Sequence, residues 1–205
     1  NDHVIIVGLV WLSYYSVMFL GSLRSTPNLE SWRPADLVET AVAWKNAVKS
    51  KDSPTCLIFS RQNTSAIPRN QNQIDNIDKG GYLVKENDNA SISLVASGSE
   101  LQLILDAAEA LEKDFGISSN VISMPCLDRF LDNEDDYHSS ILKPNLPILV
   151  VELSHPNSWY KLLNKKDKVL GIETFGESAP ANILLEHFGF TTPNVVEMAK
   201  SLVDE

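Results

Sequence analysis

The sequence predicts an α/β fold: a mostly parallel sheet with helices on both faces. Short uncharged runs such as TCLIFS at residues 55–60 read as strands buried on both sides, which need no polar alternation. Such runs alternate with stretches of helical period. Glycine and small polar clusters separate the two kinds of stretch. The length of 205 residues suits one large domain or two small ones. A formal charge of −10 and a pI of about 4.8 speak against a nucleic-acid or anionic-membrane surface. The two cysteines, Cys56 and Cys126, lie far apart in apolar runs and outside any CxxC. They read as buried free thiols of a reducing cytosol.

Residues 4–21 carry no charge, a length that raises the question of a membrane span or signal peptide. Asn1, Asp2 and His3 supply no basic flank, and the GSLR at 21–24 is a poor cleavage site. The run reads as a buried strand followed by a packed segment. Residues 25–34 form a loop, and Pro34 opens a helix over 35–50 with Leu37, Ala41, Trp44 and Val48 on one face. Residues 55–60 form a strand that ends directly on Arg61. Residues 64–79 are rich in Asn and Gln, lack a steady period and read as a linker.

Beyond Gly80 and Gly81, strands are predicted at 82–85, 91–96, 120–124, 146–152 and 169–172. Helices are predicted at 100–115, 131–142, 159–163, 181–188 and 193–203. Gly116 and Gly189 are placed to stop two of them. In TFGESAPANILLEHFGFT at 174–191, Ser178 reads as an N-cap and Pro180 falls in the first turn. Ile183, Leu184 and Phe188 give the apolar stripe of that helix.

Candidate site residues are few. Arg61 follows the carboxyl end of a parallel strand, where open α/β sheets bind ligands, and guanidinium matches phosphate bidentately. From the residues alone it is either an anion contact or a surface cation. The turn at 97–100 (SGSE) is either an anion-holding helix start or a simple cap. His138, His155 and His187 share no metal spacing, and Glu177 reads as a turn-stabilising carboxylate. There is no P-loop, no GxGxxG and no zinc pattern. No catalytic, cofactor-binding or metal residue is assigned.

Several strings, in order, carry a resemblance: SRQN at 60–63, SGSE at 97–100, SMP at 123–125, WYK at 159–161 and GESAP at 176–180. Together they resemble the transketolases, from about Leu23 to the carboxyl terminus. The resemblance implies an atypical apolar segment at 1–22 and the end of a pyrimidine-binding domain at 23–63. A linker at 64–80 and a transketolase C-terminal domain at 81–205 follow. It makes Trp32 and Trp44 core residues, sets Arg33 and Asp36 at a loop–helix junction, and gives Trp159 and Tyr160 to packing or subunit contact.

It also implies the reaction: transfer of a two-carbon ketol unit between sugar phosphates of the pentose phosphate pathway. In the full enzyme, thiamine diphosphate with magnesium or calcium acts as the electron sink. Arg61 matches the arginine that grips the substrate phosphate. A cytoplasmic homodimer is implied, with no nucleic-acid partner and no membrane. The family's HDSxGxGEDGPTHQ run has no counterpart in 1–22, so neither Asp2 nor His3 takes a role from it. No cofactor is expected on this fragment alone, which is expected to be inactive. The alternative is a non-catalytic dimerisation or interaction module.

Overall fold

The computed structural model describes residues 5–10, 16–60 and 62–204. Strand β1 (Ile5–Val10) leads to helix α1 (Ser16–Arg24), strand β2 (Glu30–Trp32), helix α2 (Leu37–Lys49) and strand β3 (Thr55–Ser60). These strands form a parallel sheet in the order β1-β3-β2, with Val7 and Trp32 both opposite Leu57. The strand expected in the uncharged amino-terminal run is therefore present.

Helix α3 (Gln71–Ile77) precedes the second sheet. It lies inside the polar stretch read as a linker without a steady period. Its start is fixed by a reciprocal capping box in which Asn70 accepts from the Gln73 backbone and Gln73 accepts from the Asn70 backbone.

The second sheet takes β4 (Tyr82–Lys85), β5 (Ile92–Ala96), β6 (Ser119–Ser123), β7 (Ile148–Val151) and β8 (Lys168–Leu170). Its order is β4-β6-β5-β7-β8, parallel throughout except for β4 against β6. Helices α4 (Glu100–Phe115), α5 (Leu127–Leu131), α6 (Asp135–Leu142), α7 (Ala181–His187) and α8 (Thr192–Asp204) complete the chain.

Period-two alternation sorts the strand residues to two faces. Leu94, Ala96, Leu149 and Val151 pack with Leu101, Ile104 and Leu111 of α4 and Val195 and Ala199 of α8. Val95, Ile122 and Val150 turn to the other face, under Leu127, Phe130, Ile141 and Trp159. Helix α4 matches its sequence expectation at both ends, stopped by Gly116 at φ 68°. Gly189 stops α7 at φ 78°.

Four expectations are corrected. The helix expected at 131–142 is two helices, α5 and α6, with a turn between them. The helix expected at 159–163 is instead a single 3₁₀ turn at Pro156–Ser158, entered through Pro156 at its first position. Ser178 does not cap α7; Pro180 holds that place without a side-chain cap. Leu184 is the buried residue there, while Ile183 is 53% exposed.

The fourth concerns α2. Asp36 caps it, accepting from the backbone N–H groups of Val38 and Glu39. The buried face is Glu39, Ala43, Asn46 and Ala47. Leu37 and Val48, from the expected apolar stripe, are 83% and 65% exposed, and Trp44 is 39% exposed rather than a core residue. Trp32 is fully buried, as expected. The helix is rotated because Glu39 and Asn46 find polar partners inside the molecule.

Candidate functional site

Strand β3 ends at a tight polar corner. The Ser60 hydroxyl accepts from the Gln62 backbone and donates to the Gln62 side-chain oxygen, both at 3.1 Å. Arg61 itself lies outside the described residues. Gln62, Asn63 and Thr64 form one wall of a cavity of about 290 Å³. Gly98, Ser99, Glu100, Gln102 and Asp106, around the start of α4, also line it, and Ala35, Leu153 and Phe190 are among the apolar residues that make up most of its surface. This cleft between the two sheets offers amide and hydroxyl groups to a hydroxylated ligand. A recess of about 30 Å³ continues from it past Ser60, Gln62, Ser99 and Arg33.

Behind the recess is a buried network of charges. Glu152, immediately after β7, accepts from Arg24 at 2.6 and 2.9 Å and from Arg33 at 3.4 Å. It also accepts from the Ser97 hydroxyl and the Trp159 indole. Arg33 donates bidentately to Glu100 at 2.7 and 2.9 Å and to the Ser97 carbonyl at 3.1 Å. Burial alone would push the Glu152 carboxyl up. The Arg24 and Arg33 charges, with hydrogen bonds from Arg24 and Ser97, outweigh it and hold the group at about 2. Burial likewise opposes the Arg33 charge, but Glu100 and Glu152 raise its pKa further.

The turn before α4 is therefore more than a simple cap. Ser99 makes no side-chain cap hydrogen bond to the backbone, and Glu100 faces Arg33. Gly98 sits at φ 61°, and a Cβ there would stand 3.0 Å from the Arg33 Cγ. The space above Gly98 belongs to the arginine.

A second network ties α2 to β4. Arg69 donates to Asp36 at 2.5 Å and to Glu39 at 3.2 Å. Tyr82 at 2.7 Å and Ser123 at 2.6 Å also donate to Glu39. Burial, then Glu39, push the Tyr82 phenol upward, so it stays protonated. These groups are held as structure.

The remaining candidates are dispersed. His138 contacts the Phe130 carbonyl at 2.7 Å, and His155 accepts from the Asn157 backbone. His187 stands 3.6 Å from Glu177, both exposed. Trp159 is buried in packing, whereas Tyr160 is 56% exposed. Cys56 and Cys126 are free and buried, and burial pushes both thiols up, so neither is poised as a nucleophile.

Among the described residues, no group of three or more His, Cys, Asp or Glu side chains comes together to hold a metal. The buried carboxylates Asp36, Glu39, Glu100 and Glu152 already face guanidinium groups. This donor set does not fit a diphosphate–metal group. No helix of the described residues is long and apolar enough to cross a membrane.

Comparison with known proteins settles the lineage. The transketolase pyrimidine-binding domain matches residues 12–66, and the transketolase-like C-terminal domain matches residues 80–191. The chain belongs to the transketolase family. It is 45% identical over 186 residues to transketolase 2 of Vibrio parahaemolyticus, covering 90% of this chain. It spans only 28% of that relative's length. A Pichia stipitis transketolase in complex with sedoheptulose-7-phosphate superposes with a TM-score of 0.84 and 35% identity, over 92% of this chain and 27% of that one. The Leishmania mexicana transketolase gives 0.84 and 36%, with the same coverage.

Sequence reasoning placed Arg33 at a loop–helix junction and passed over Arg24, Arg69, Glu39 and Glu152. In this transketolase-family chain those residues join the two sheets. One signal was available: Glu152 is a lone charge at the end of the apolar run LPILVV.

Proposed function

We propose that this chain is the sugar-phosphate-facing carboxyl-terminal part of a transketolase. In that reading the complete enzyme transfers a two-carbon ketol unit from a ketose phosphate to an aldose phosphate. Thiamine diphosphate and a divalent metal, magnesium or calcium, are held by the parts that the longer relatives possess. Arg61 supplies a phosphate contact, and residues 64–80 divide the pyrimidine-binding remnant from the C-terminal domain. The enzyme acts as a cytoplasmic homodimer, and the isolated chain does not turn over.

One observation carries this reading. Gln62 and Asn63, just past the carboxyl end of the parallel strand β3, line a cleft whose walls are mostly apolar with a few amide and hydroxyl groups. A cation at position 61 would stand where such sheets receive anions, and the guanidinium fork suits a phosphate dianion. The sugar-phosphate complex of the Pichia stipitis relative supports the substrate class. A non-catalytic dimerisation module is the less favoured reading, because the related sequences are transketolases along 90% of this chain.

The test has two arms. Titration of the chain with thiamine diphosphate and magnesium in a calorimeter is expected to give no tight binding, and micromolar affinity would overturn the assignment of the cofactor to other parts. Titration with a ketose phosphate, followed by nuclear magnetic resonance, is expected to move the resonances of Gln62 and Asn63. Arg61→Ala should abolish that movement; an unchanged response would remove Arg61 from the site.

A further inference from the structure

Open α/β sheets receive ligands in the crevice where the strand order reverses. In the five-stranded sheet that point lies between β5 and β7. The chain leaves β5 through α4 to reach β6 on one side, and later returns to β7 on the other. Ser97 and Glu100 follow β5, Glu152 follows β7, and Ser97 and Trp159 both donate to Glu152 here.

The crevice is filled from outside the sheet. Arg24, the last residue of α1, enters with its guanidinium carbon 5.2 Å from the Trp159 ring centre and both terminal nitrogens on Glu152. Arg33, directly after β2, enters over Gly98 with its fork on Glu100. The backbone of Arg33 is also engaged: its N–H donates to Pro125 at 2.7 Å and its carbonyl accepts from Gly98 at 2.9 Å. Two carboxylates thus meet two guanidinium groups, each side chain under a tenth exposed.

We propose that the switch-point crevice is a guanidinium socket occupied by Arg24 and Arg33, and that Glu100, which takes the Arg33 fork, is a positioning residue that fixes the β3 corner through Arg33. The mechanical link is short. Trp32, one residue before Arg33, is paired with Leu57 of β3, and Arg33 lines the same recess as Phe59, Ser60 and Gln62. The carboxylate holds the arginine, the arginine holds the end of β2, and β2 sets β3. That this placement serves phosphate recognition rests on the reading above; the socket itself does not.

Chemical rescue tests the socket in the full chain. Arg33→Ala leaves a guanidinium-shaped vacancy against Glu100 and Glu152. Amide exchange in β3 is expected to rise about a hundredfold, while exchange in β6 stays within about threefold of the parent chain. Added methylguanidinium should reverse most of the rise, and N-methylurea, of like shape but uncharged, should not. Glu100→Gln should also loosen β3 and should resist rescue. Equal effects of Arg33→Ala on β3 and β6, or equal rescue by both additives, would overturn the proposal. Should Arg33→Ala fail to fold, Arg33→Lys keeps the charge and loses the fork; unchanged β3 exchange there would be equally fatal. Successful rescue beside a phosphate response that ignores Arg61→Ala would keep the socket and discard the phosphate reading.

Discussion

Glu152 and Arg24 lie 128 residues apart in sequence and are joined by two parallel hydrogen bonds of 2.6 and 2.9 Å, with both side chains at most 2% exposed. The pair spans the two sheets and leaves water out of the contact.

Breaking this pair from one side is expected to be costly. Glu152→Gln leaves Arg24 buried without its counter-charge, and urea unfolding should show a loss of about 3–5 kcal/mol. Lys45 and Asp78 form an exposed pair at 2.7 Å, and Lys45→Ala should cost less than about 1 kcal/mol. Similar losses for the two variants would refute the distinction.

Acid should weaken the chain in a defined window. Glu152 falls from an ordinary 4.5 to about 2 in the folded state. A depressed carboxyl stabilises fully above its unfolded pKa, and that stability is lost as pH falls through the folded value. The expected decline runs from about pH 5 to about pH 2 and amounts to about 3 kcal/mol from this group. Asp36, held low against burial by Arg69 and backbone donors, acts in the same direction. Denaturant midpoints measured across this range should fall on acidification and should flatten in Glu152→Gln.

The two faces of α2 should respond unequally to substitution. Leu37→Ala removes a side chain at an 83% exposed position and should change stability by no more than about 0.5 kcal/mol. Ala43 is fully buried beside Trp32 and Leu57, so Ala43→Leu should overpack and cost about 1–3 kcal/mol. Thermal melts of the two variants decide whether the observed rotation of the helix is right.

Asp36 does three tasks: it caps α2, accepts from the Ile67 backbone at 3.0 Å and faces Arg69. Asp36→Ala should cost about 2–4 kcal/mol, more than a cap alone. Asp36→Asn keeps the cap and should recover part of the loss. Equal stability of the two variants would show that the cap contributes nothing.

The sheets and α4 were legible because their signals are local. Buried strands show as short apolar runs, and α4 repeats Leu101, Ile104, Ala108 and Leu111 along one side before Gly116. The face of α2 was misread because its inward polar residues are satisfied from afar. Glu39 is met by Tyr82 and Ser123, and Asn46 by Arg129 and Asp78. Helix α3 escaped because it is polar along its length, although Asn70 and Gln73 spell its capping box. In the candidate site, the strand end at Ser60 was visible in the sequence. The arginines behind it were not, since nothing near Arg24 or Arg33 announces a carboxylate more than sixty residues away.

The socket has a bearing on how such a chain can be recombined. A crossover anywhere between residues 33 and 97 hands the cations to one parent and the carboxylates to the other. A shuffled descendant inherits a lock from one lineage and a key from another. The stretch 64–80, for all its loop-like composition, is therefore a poor place to exchange modules unless Arg24, Arg33, Glu100 and Glu152 travel together.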